Sequence, residues 1–252
     1  MNHPTAVAVS FPPLQEVDFA AFGAIECVPV SRIQKLTATY LTRNWVTIPH
    51  VTHHDEADIS ELDILRKRIS EEQGVKITPL AFQIKALANT LKVFPHFNAS
   101  LDASGHNLIL KQYFHIGVAV DTPKGLLVAV IRDCDTKSLQ ALAVEVATLS
   151  ERARTKGLPM SDMQGGCMTI SALGGIGGTA FTPIINAPEV AILGVTKAKW
   201  KPQRGHDDGI DWRLMLPLDL SYDHRVINGA DAARFLLHFA QLLKKPEDLL
   251  DT

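Results

Sequence analysis

Length, composition and charge exclude several classes of protein. The chain has 252 residues, of which 46% are hydrophobic, so it can bury a sizeable core in one large domain or two small ones. Its formal net charge of -2 offers no electrostatic attraction to nucleic acid, and no apolar run reaches the roughly 20 residues that a membrane helix needs.

The N-terminus and the cysteines indicate the compartment. Residues 1–13 contain neither a basic segment nor a long apolar one, so they do not resemble a secretory signal. Cys27, Cys134 and Cys167 are widely spaced, and an odd, sparse set is typical of buried thiols in a reducing compartment. We therefore expect a soluble, cytoplasmic protein.

The first part of the chain predicts an arm followed by a helix and a strand. Residues 1–24 are rich in proline and small residues and predict an extended arm, whereas residues 25–252 predict a single domain. Ser31 to Tyr40 has apolar residues at helical spacing. Thr47 to Asp58 alternates and contains β-branched residues, which predicts a strand.

Two helices follow this strand. The first is predicted from Asp58, its N-cap, to about Glu72, and Gly74 ends it. The second begins at Thr78-Pro79, where proline occupies the first helical position, and it continues to about Val93 before Pro95.

The rest of the chain mixes strands with helices. Strands are predicted for residues 107–111, 115–120, 126–131, 169–171, 190–195 and 214–220. Helices are predicted for residues 138–156 and 230–243, turns for Thr122–Gly125 and Gly174–Gly178, and a polar loop for Lys199–Asp211. Because there is no regular βαβ alternation, we predict an α+β fold with a mixed or antiparallel sheet and helices on one side.

His224 is the first candidate for chemistry. It stands in Asp223-His224-Arg225, where an apolar segment gives way to a helical pattern, and its side-chain pKa near 6.5 suits proton transfer. A histidine beside charged residues is equally consistent with a surface loop. Polar groups at the end of an apolar strand need partners or serve a function, which favours a general base.

Ser171 and the glycine cluster Gly174–Gly178 form a second candidate region. Ser171 follows a short apolar segment, and its hydroxyl could equally bond its own backbone. The glycines do not have dinucleotide-binding spacing, because Ala180 stands where a glycine is required, and no Gly-Lys-Ser/Thr follows. A turn that lets backbones approach closely is the better interpretation.

The group His50, His53, His54 and Asp55 suggests a metal. On a strand, His50 and His54 share a face while His53 points to the other, and two ligands rarely suffice for zinc. We therefore predict no metal site.

These residues, together with other blocks, resemble a known family, the acyltransferase component of 2-oxo acid dehydrogenase complexes. The active-site signature is Asp223-His224-Arg225-Val226-Ile227-Asn228-Gly229. Similar blocks lie at residues 43–53, 94–101, 115–120, 123–128, 165–171 and 186–194, so the resemblance covers the chain from about Val17 to Leu250. The blocks are most similar to the branch that serves pyruvate.

The resemblance implies a chloramphenicol-acetyltransferase-like fold, with a mixed sheet flanked by helices, and a homotrimer with the active site in a channel between subunits. It implies transfer of an acyl group, acetyl in this branch, between dihydrolipoamide sulfur and coenzyme A sulfur. Coenzyme A would enter from one end and the lipoyl arm from the other. Lipoyl domains and the 2-oxo acid dehydrogenase components would be the partners, and no metal is implied.

The resemblance also implies roles for three residues. His224 matches the base that takes the thiol proton. Ser171 matches the hydroxyl that donates to the oxyanion, and the family supplies it from the neighbouring subunit. Asn228 stands where many members carry aspartate, so we expect a supporting role without charge, with Arg32 as its partner.

The sequence differs from the family in the domains and the C-terminal segment that accompany the catalytic domain. No lipoyl domain or peripheral-subunit-binding domain is recognisable, so the chain is either an excised core or a stand-alone protein that uses lipoyl domains in trans. Leu249 and Leu250 could join trimers, although the polar Asp251-Thr252 follows them. We predict a trimer and leave a cube of about 24 subunits open.

Two other functions remain as alternatives. The chain could be a scaffold that organises partner enzymes without catalysis, or an acyltransferase with a different acceptor such as an antibiotic hydroxyl. A scaffold need not keep His224 together with Ser171, and the blocks typical of the pyruvate branch disfavour the other acceptor.

Overall fold

The computed structural model describes residues 13–123, 125–205 and 208–250. The chain forms two units, Met1–Ser31 and Arg32–Thr252. Half of the predicted arm, residues 1–12, lies outside the described residues, and the remainder contains a 3-10 helix at Phe19–Ala21. The predicted arm boundary after residue 24 stays a prediction.

The second unit contains five α-helices and nine β-strands in its described part. The helices are α1 (Arg32–Thr47), α2 (Ser60–Gln73), α3 (Pro79–Val93), α4 (Leu139–Thr155) and α5 (Gly229–Lys244). The strands are β1 (His50–Asp58), β2 (Ala99–Leu101), β3 (Leu108–Leu110), β4 (Ile116–Thr122), β5 (Gly125–Ile131), β6 (Met168–Ala172), β7 (Ala191–Val195), β8 (Lys199–Arg204) and β9 (Ile210–Asp223). None of these helices combines the length and apolar character that crossing a membrane requires.

Seven of the strands form one mixed sheet in the order β1-β9-β7-β6-β4-β5, with β8 paired to β9. Strand β6 is parallel to β4 and β7, whereas β9 is antiparallel to β1, β7 and β8. Strands β2 and β3 form a separate hairpin. The prediction of an α+β fold with a mixed sheet is confirmed.

Helices α2–α5 cover one face of the sheet and build the core with it. Their apolar residues join those of the strands in a single cluster that includes Leu65, Phe82, Leu142, Ile170 and Leu220. Two predicted helix ends are confirmed where capping residues determine them. Gly74 ends α2 in the left-handed conformation (φ 64°), and the Ser138 side chain accepts a hydrogen bond from Ala141 N in the first turn of α4.

Three predictions about the elements need correction. The predicted polar loop Lys199–Asp211 contains strand β8, which pairs with the first residues of β9. Its side chains are mostly exposed, so it lacks the apolar alternation by which strands are recognised. Helix α1 runs to Thr47 rather than Tyr40, and the short strand β2 was not predicted.

Two further sequence interpretations change with the structure. Asp58 is not the N-cap of α2, which is Ile59, although its carboxylate accepts a hydrogen bond from Ser60 N at 3.0 Å. Leu249 is buried in the core of its own chain, so of the two C-terminal leucines only Leu250 is accessible to a neighbour. Asp251 and Thr252 lie outside the described residues.

The cysteines match the prediction of buried thiols in two cases out of three. All three are free; Cys134 and Cys167 are buried, but Cys27 is exposed. Burial raises the pKa of the Cys134 thiol to about 12, so this thiol stays protonated and unreactive.

Phe235 provides a test of how the last helix is buried. Its ring stacks on Phe97 with centroids 4.1 Å apart and meets Phe94 edge-on at 5.6 Å. Replacing Phe235 by alanine should lower the free energy of unfolding by about 3–5 kcal/mol, because a cavity replaces these contacts. Leu237 on the same helix is 55% exposed, so its replacement by alanine should cost less than about 1 kcal/mol. Urea denaturation followed by circular dichroism compares the two variants, and equal losses would contradict this orientation of α5.

Candidate active site

His224 lies directly after β9, in the short connection that leads to α5. Its backbone N donates to Pro49 O at 3.1 Å, which ties the connection to the start of β1. The side chain is exposed, and its ring nitrogens have no hydrogen-bond partner among the described residues. The imidazole is therefore held through its backbone and is available for proton transfer.

Asp223 and Arg225 fix the backbone on either side of His224. The Asp223 carboxylate is buried and accepts from Arg225 N at 3.0 Å, from its Nε at 2.9 Å and from its Nη2 at 2.6 Å. This pairing raises the pKa of the Arg225 guanidinium, which therefore stays charged. The backbone N of Asp223 also donates to Val190 O at 2.8 Å.

Asn228 caps α5 immediately after this connection. Its Oδ1 accepts from Asp231 N at 3.0 Å, and its Nδ2 donates to Asp231 Oδ2 at 2.6 Å. The predicted partner Arg32 forms no hydrogen bond with Asn228 within the described part of this chain. Within this chain, the side-chain hydrogen bonds of Asn228 therefore fix the start of α5 and do not reach His224.

Ser171 lies near the carboxyl end of β6 and is partly exposed. It pairs with Gly194 on β7, which in turn pairs with Asp219 on β9. Asp223 lies four residues further along β9, so the two Cα atoms of Ser171 and Asp223 are about 16 Å apart by strand geometry. The backbone positions of Ser171 and of the His224 connection within one chain are therefore far apart compared with the reach of either side chain.

The glycine-rich segment after Ser171 forms a turn, as predicted. The backbone N atoms of Ile176 and Gly177 both donate to Leu173 O, at 2.9 and 3.0 Å. Gly178 has a φ of +91°, a conformation that glycine adopts readily. The segment returns across the sheet, where Ile185 packs against Ile48 and Ile192.

The histidines considered as metal ligands are engaged otherwise. His50 Nδ1 donates to Ile48 O at 2.8 Å, and its Nε2 accepts from Ile185 N at 3.0 Å. His54 Nδ1 donates to Asp219 Oδ1 at 2.6 Å. Within residues 13–123, 125–205 and 208–250, no three residues of ligand type are grouped as a metal site would need.

A cleft of about 690 Å³ opens between α1, β5 and the end of α4. Its walls are largely apolar, with Leu36, Tyr40 and Leu126 among them, and Arg43 and Lys156 provide positive charge. Such a cleft suits a ligand that combines an extended, weakly polar arm with an anionic end.

Glu189 is a buried acid that the sequence did not bring to attention. Its Oε1 accepts from Thr169 Oγ1 at 2.9 Å and from Asn186 Nδ2 at 3.3 Å, while Oε2 has no hydrogen-bond partner among the described residues. Burial raises the pKa of this carboxyl to about 7, against the opposing effects of Thr169 and Lys111. Only the fold reveals this environment, because the sequence pattern around Glu189 gives no sign of its burial.

Glu189 makes stability depend on pH. In the unfolded chain the carboxyl ionises near 4.5, whereas in the folded chain it holds its proton to about pH 7. Its contribution is therefore fully present below pH 4.5 and is lost as the pH rises towards 7. Glu189→Gln should remove this dependence and stabilise the protein, relative to wild type, by up to about 3 kcal/mol more at pH 8 than at pH 5. Urea denaturation at both pH values measures it, with the exposed Glu71→Gln as control; parallel curves for wild type and Glu189→Gln would contradict the raised pKa.

Comparisons with known proteins agree with the resemblance in the sequence. Residues 23–251 match the family of 2-oxoacid dehydrogenases acyltransferase (catalytic domain). The chain is 55% identical over 236 residues to the dihydrolipoyllysine-residue acetyltransferase component of pyruvate dehydrogenase complex of Cupriavidus necator, which covers 92% of this chain and 42% of that protein. It is 57% identical over 230 residues to the corresponding protein of Azotobacter vinelandii, with 90% of this chain and 36% of that protein covered. The chain thus spans less than half the length of these curated relatives.

Solved structures give the same result. The structure of Azotobacter vinelandii dihydrolipoamide acetyltransferase, studied for the role of a serine, a histidine and an asparagine in its catalytic mechanism, superposes with a TM-score of 0.91 at 55% identity, covering 95% of this chain and 100% of that one. The cubic core of the pyruvate dehydrogenase multienzyme complex has the same TM-score, identity and coverage. Chloramphenicol acetyltransferase, 14% identical with a TM-score of 0.55 over 83% of this chain and 94% of that one, shares the fold alone.

Proposed function

The chain belongs to the family of 2-oxoacid dehydrogenase acyltransferases (catalytic domain), and we propose that it transfers an acetyl group between dihydrolipoamide sulfur and coenzyme A sulfur. His224 is the general base and Ser171 the oxyanion donor. The observation that carries this proposal is the exposed, unpaired imidazole of His224 on a backbone that Pro49 and Asp223 hold in place.

The spacing in a relative supports these roles. The Azotobacter vinelandii enzyme was studied for the roles of a serine, a histidine and an asparagine in catalysis. Its asparagine follows the histidine by four positions, as Asn228 follows His224, and its serine precedes the histidine by 52 positions where Ser171 precedes His224 by 53.

The proposed reaction uses His224 for proton transfer and Ser171 for stabilisation of the oxyanion. The imidazole of His224 takes the proton of the coenzyme A thiol, because an alkyl thiol, like that of cysteine with its pKa of about 8.5, is mostly protonated at neutral pH. The sulfur attacks the thioester carbonyl, and the Ser171 hydroxyl donates to the oxyanion that forms. When the intermediate collapses, the carbon–sulfur bond to the lipoyl group breaks, and the leaving sulfur takes the proton back from His224.

The separation of about 16 Å within one chain suggests that the two groups come from adjoining copies. A trimer satisfies this, because each interface then brings the His224 connection of one copy to the Ser171 strand of the next. The cleft lined by Tyr40 and Arg43 is our candidate for the arm of coenzyme A, because positive charge accompanies its apolar walls. The lipoyl group arrives in trans on its own domain.

Substitutions at the two positions test the roles. His224→Ala should lower kcat by about 10²–10⁴-fold, because a general base is lost, and Ser171→Ala by about 10²–10³-fold. The exposed His106→Ala should leave kcat unchanged. Acetyl transfer from acetyl-CoA to dihydrolipoamide, followed by thioester absorbance, measures all three. A folded wild-type oligomer without transfer to any acceptor would favour a scaffold, and transfer to a hydroxyl acceptor alone would favour a different acyltransferase.

Mixed oligomers test whether one site needs two copies. When His224→Ala and Ser171→Ala chains are unfolded together and refolded in equal amounts, about a quarter of the interfaces in a random trimer combine an intact His224 with an intact Ser171. Activity should therefore return to about a quarter of the wild-type value. Mixing His224→Ala with the double variant should restore none. If the first mixture also stays inactive while its mass is that of a trimer, the site is not shared.

A further inference from the structure

Four positions form a row across the centre of the sheet. The cross-strand pairs that define the row are Ser171 with Gly194, Gly194 with Asp219, and Asp219 with His54. Paired residues on neighbouring strands direct their side chains to the same face. The row therefore lies on the face of Ser171, opposite the face that helices α2–α5 cover.

Asp219 is a buried carboxylate with two partners in this row. Its side chain is 1% exposed; Oδ1 accepts from His54 Nδ1 at 2.6 Å, and Oδ2 accepts from Phe181 N at 3.2 Å. A buried carboxylate needs such partners, because an unpaired charge away from water is costly. The half-exposed imidazole of His54 covers the Asp219 carboxylate on one side, and Phe181 covers it on the other.

Phe181 fills the space that Gly194 leaves between Ser171 and Asp219. A Cβ at position 194 would lie 2.8 Å from two carbon atoms of the Phe181 ring and 3.1 Å from Asp219 Cβ. Gly194 is thus required by the ring, which lies directly over it. The Phe181 ring consequently occupies the position in the row next to Ser171.

The segment from Leu173 to Phe181 begins two residues after Ser171, and Asp219 accepts a hydrogen bond from its last residue. At the near end Leu173 N donates to Val195 O at 2.8 Å, and further along Thr196 Oγ1 donates to Thr179 O at 3.2 Å. Four glycines in this segment give it little stiffness of its own. The hydrogen bond from Phe181 N to Asp219 therefore closes the loop over the row.

We propose that Asp219 and His54 are positioning residues for acyl transfer. They hold the Phe181 ring over Gly194. In this position the ring restricts the direction in which the Ser171 hydroxyl points. Neither residue touches the substrate. The proposal rests on the role of Ser171 as oxyanion donor, and it accounts for a buried carboxylate, hydrogen-bonded to His54, two strands away from that residue.

The hydrogen bond between His54 and the buried Asp219 could also serve only the stability of the fold, and kinetics distinguish the two roles. Asp219→Ala removes the acceptor of Phe181 N and should lower kcat by about ten- to a hundredfold, with the KM values for coenzyme A and dihydrolipoamide unchanged. Asp219→Asn keeps an acceptor oxygen and should retain most of the activity. Glu56→Ala is the matched control, because Glu56 lies on the same face of β1 as His54 and pairs with Lys201 instead of the loop.

A double-mutant cycle gives the decisive result. If Asp219 acts through Ser171, then Asp219→Ala should cause no further loss of kcat once Ser171→Ala is present. Gly194→Ala displaces the Phe181 ring without changing charge and should reproduce the kcat loss, which keeps the test available if Asp219→Ala does not fold. Wild-type kcat in these variants, or full additivity with Ser171→Ala, would overturn the proposal. Loss of the Ser171→Ala effect itself would instead refute the proposed function.

Discussion

Strand β9 is the constraint on which both parts of the site depend. It pairs with β1, β7 and β8, so a neighbouring strand fixes its register at every residue, and residues 218–222 have such a neighbour on both sides. A slip by one residue would move its apolar residues Leu218 and Leu220 out of the core that α2–α5 cover. The same register that buries these leucines places Asp219 beside the loop of Ser171 and delivers His224 at the end of the strand.

Strand geometry also explains why the proposed mechanism requires a site that is shared between copies. Ser171, near the carboxyl end of β6, is separated from the end of β9 by two strand spacings and about four residues of rise, and neither distance can be shortened without breaking hydrogen bonds. A base and an oxyanion donor on one rigid sheet therefore stay apart. A second copy supplies the missing partner without any distortion of the sheet, which makes oligomerisation part of the chemistry in the mechanism proposed above.

Local sequence signals predicted the fold where turn chemistry or periodicity decided the outcome. Thr78-Pro79 and Ser138 mark helix starts that the structure keeps, and the position of His224 at a strand end followed from the apolar run before it. Strand β8 was missed because its pairing with β9, rather than its own pattern, makes it a strand. His54 was considered as a metal ligand, since nothing near it in sequence shows that Asp219, 165 residues away, is its partner. Cross-strand pairs at this separation need the register of the whole sheet.

The two faces of the sheet bury different kinds of side chain. One face carries apolar residues into the core, whereas the other buries polar groups: Thr52 with Ser221, Thr169 with Glu189, and His54 with Asp219. Each such pair requires desolvation that an apolar pair would avoid, so stability alone does not account for three of them on one face. Hydrogen-bonded groups have a directional preference that apolar contacts lack, and they hold neighbouring backbone in one arrangement. The polar face is also the face of Ser171. In the proposed mechanism the Ser171 hydroxyl must point at an oxyanion within a few tenths of an ångström, so fixed geometry on this face matters more to the proposed reaction than additional stability.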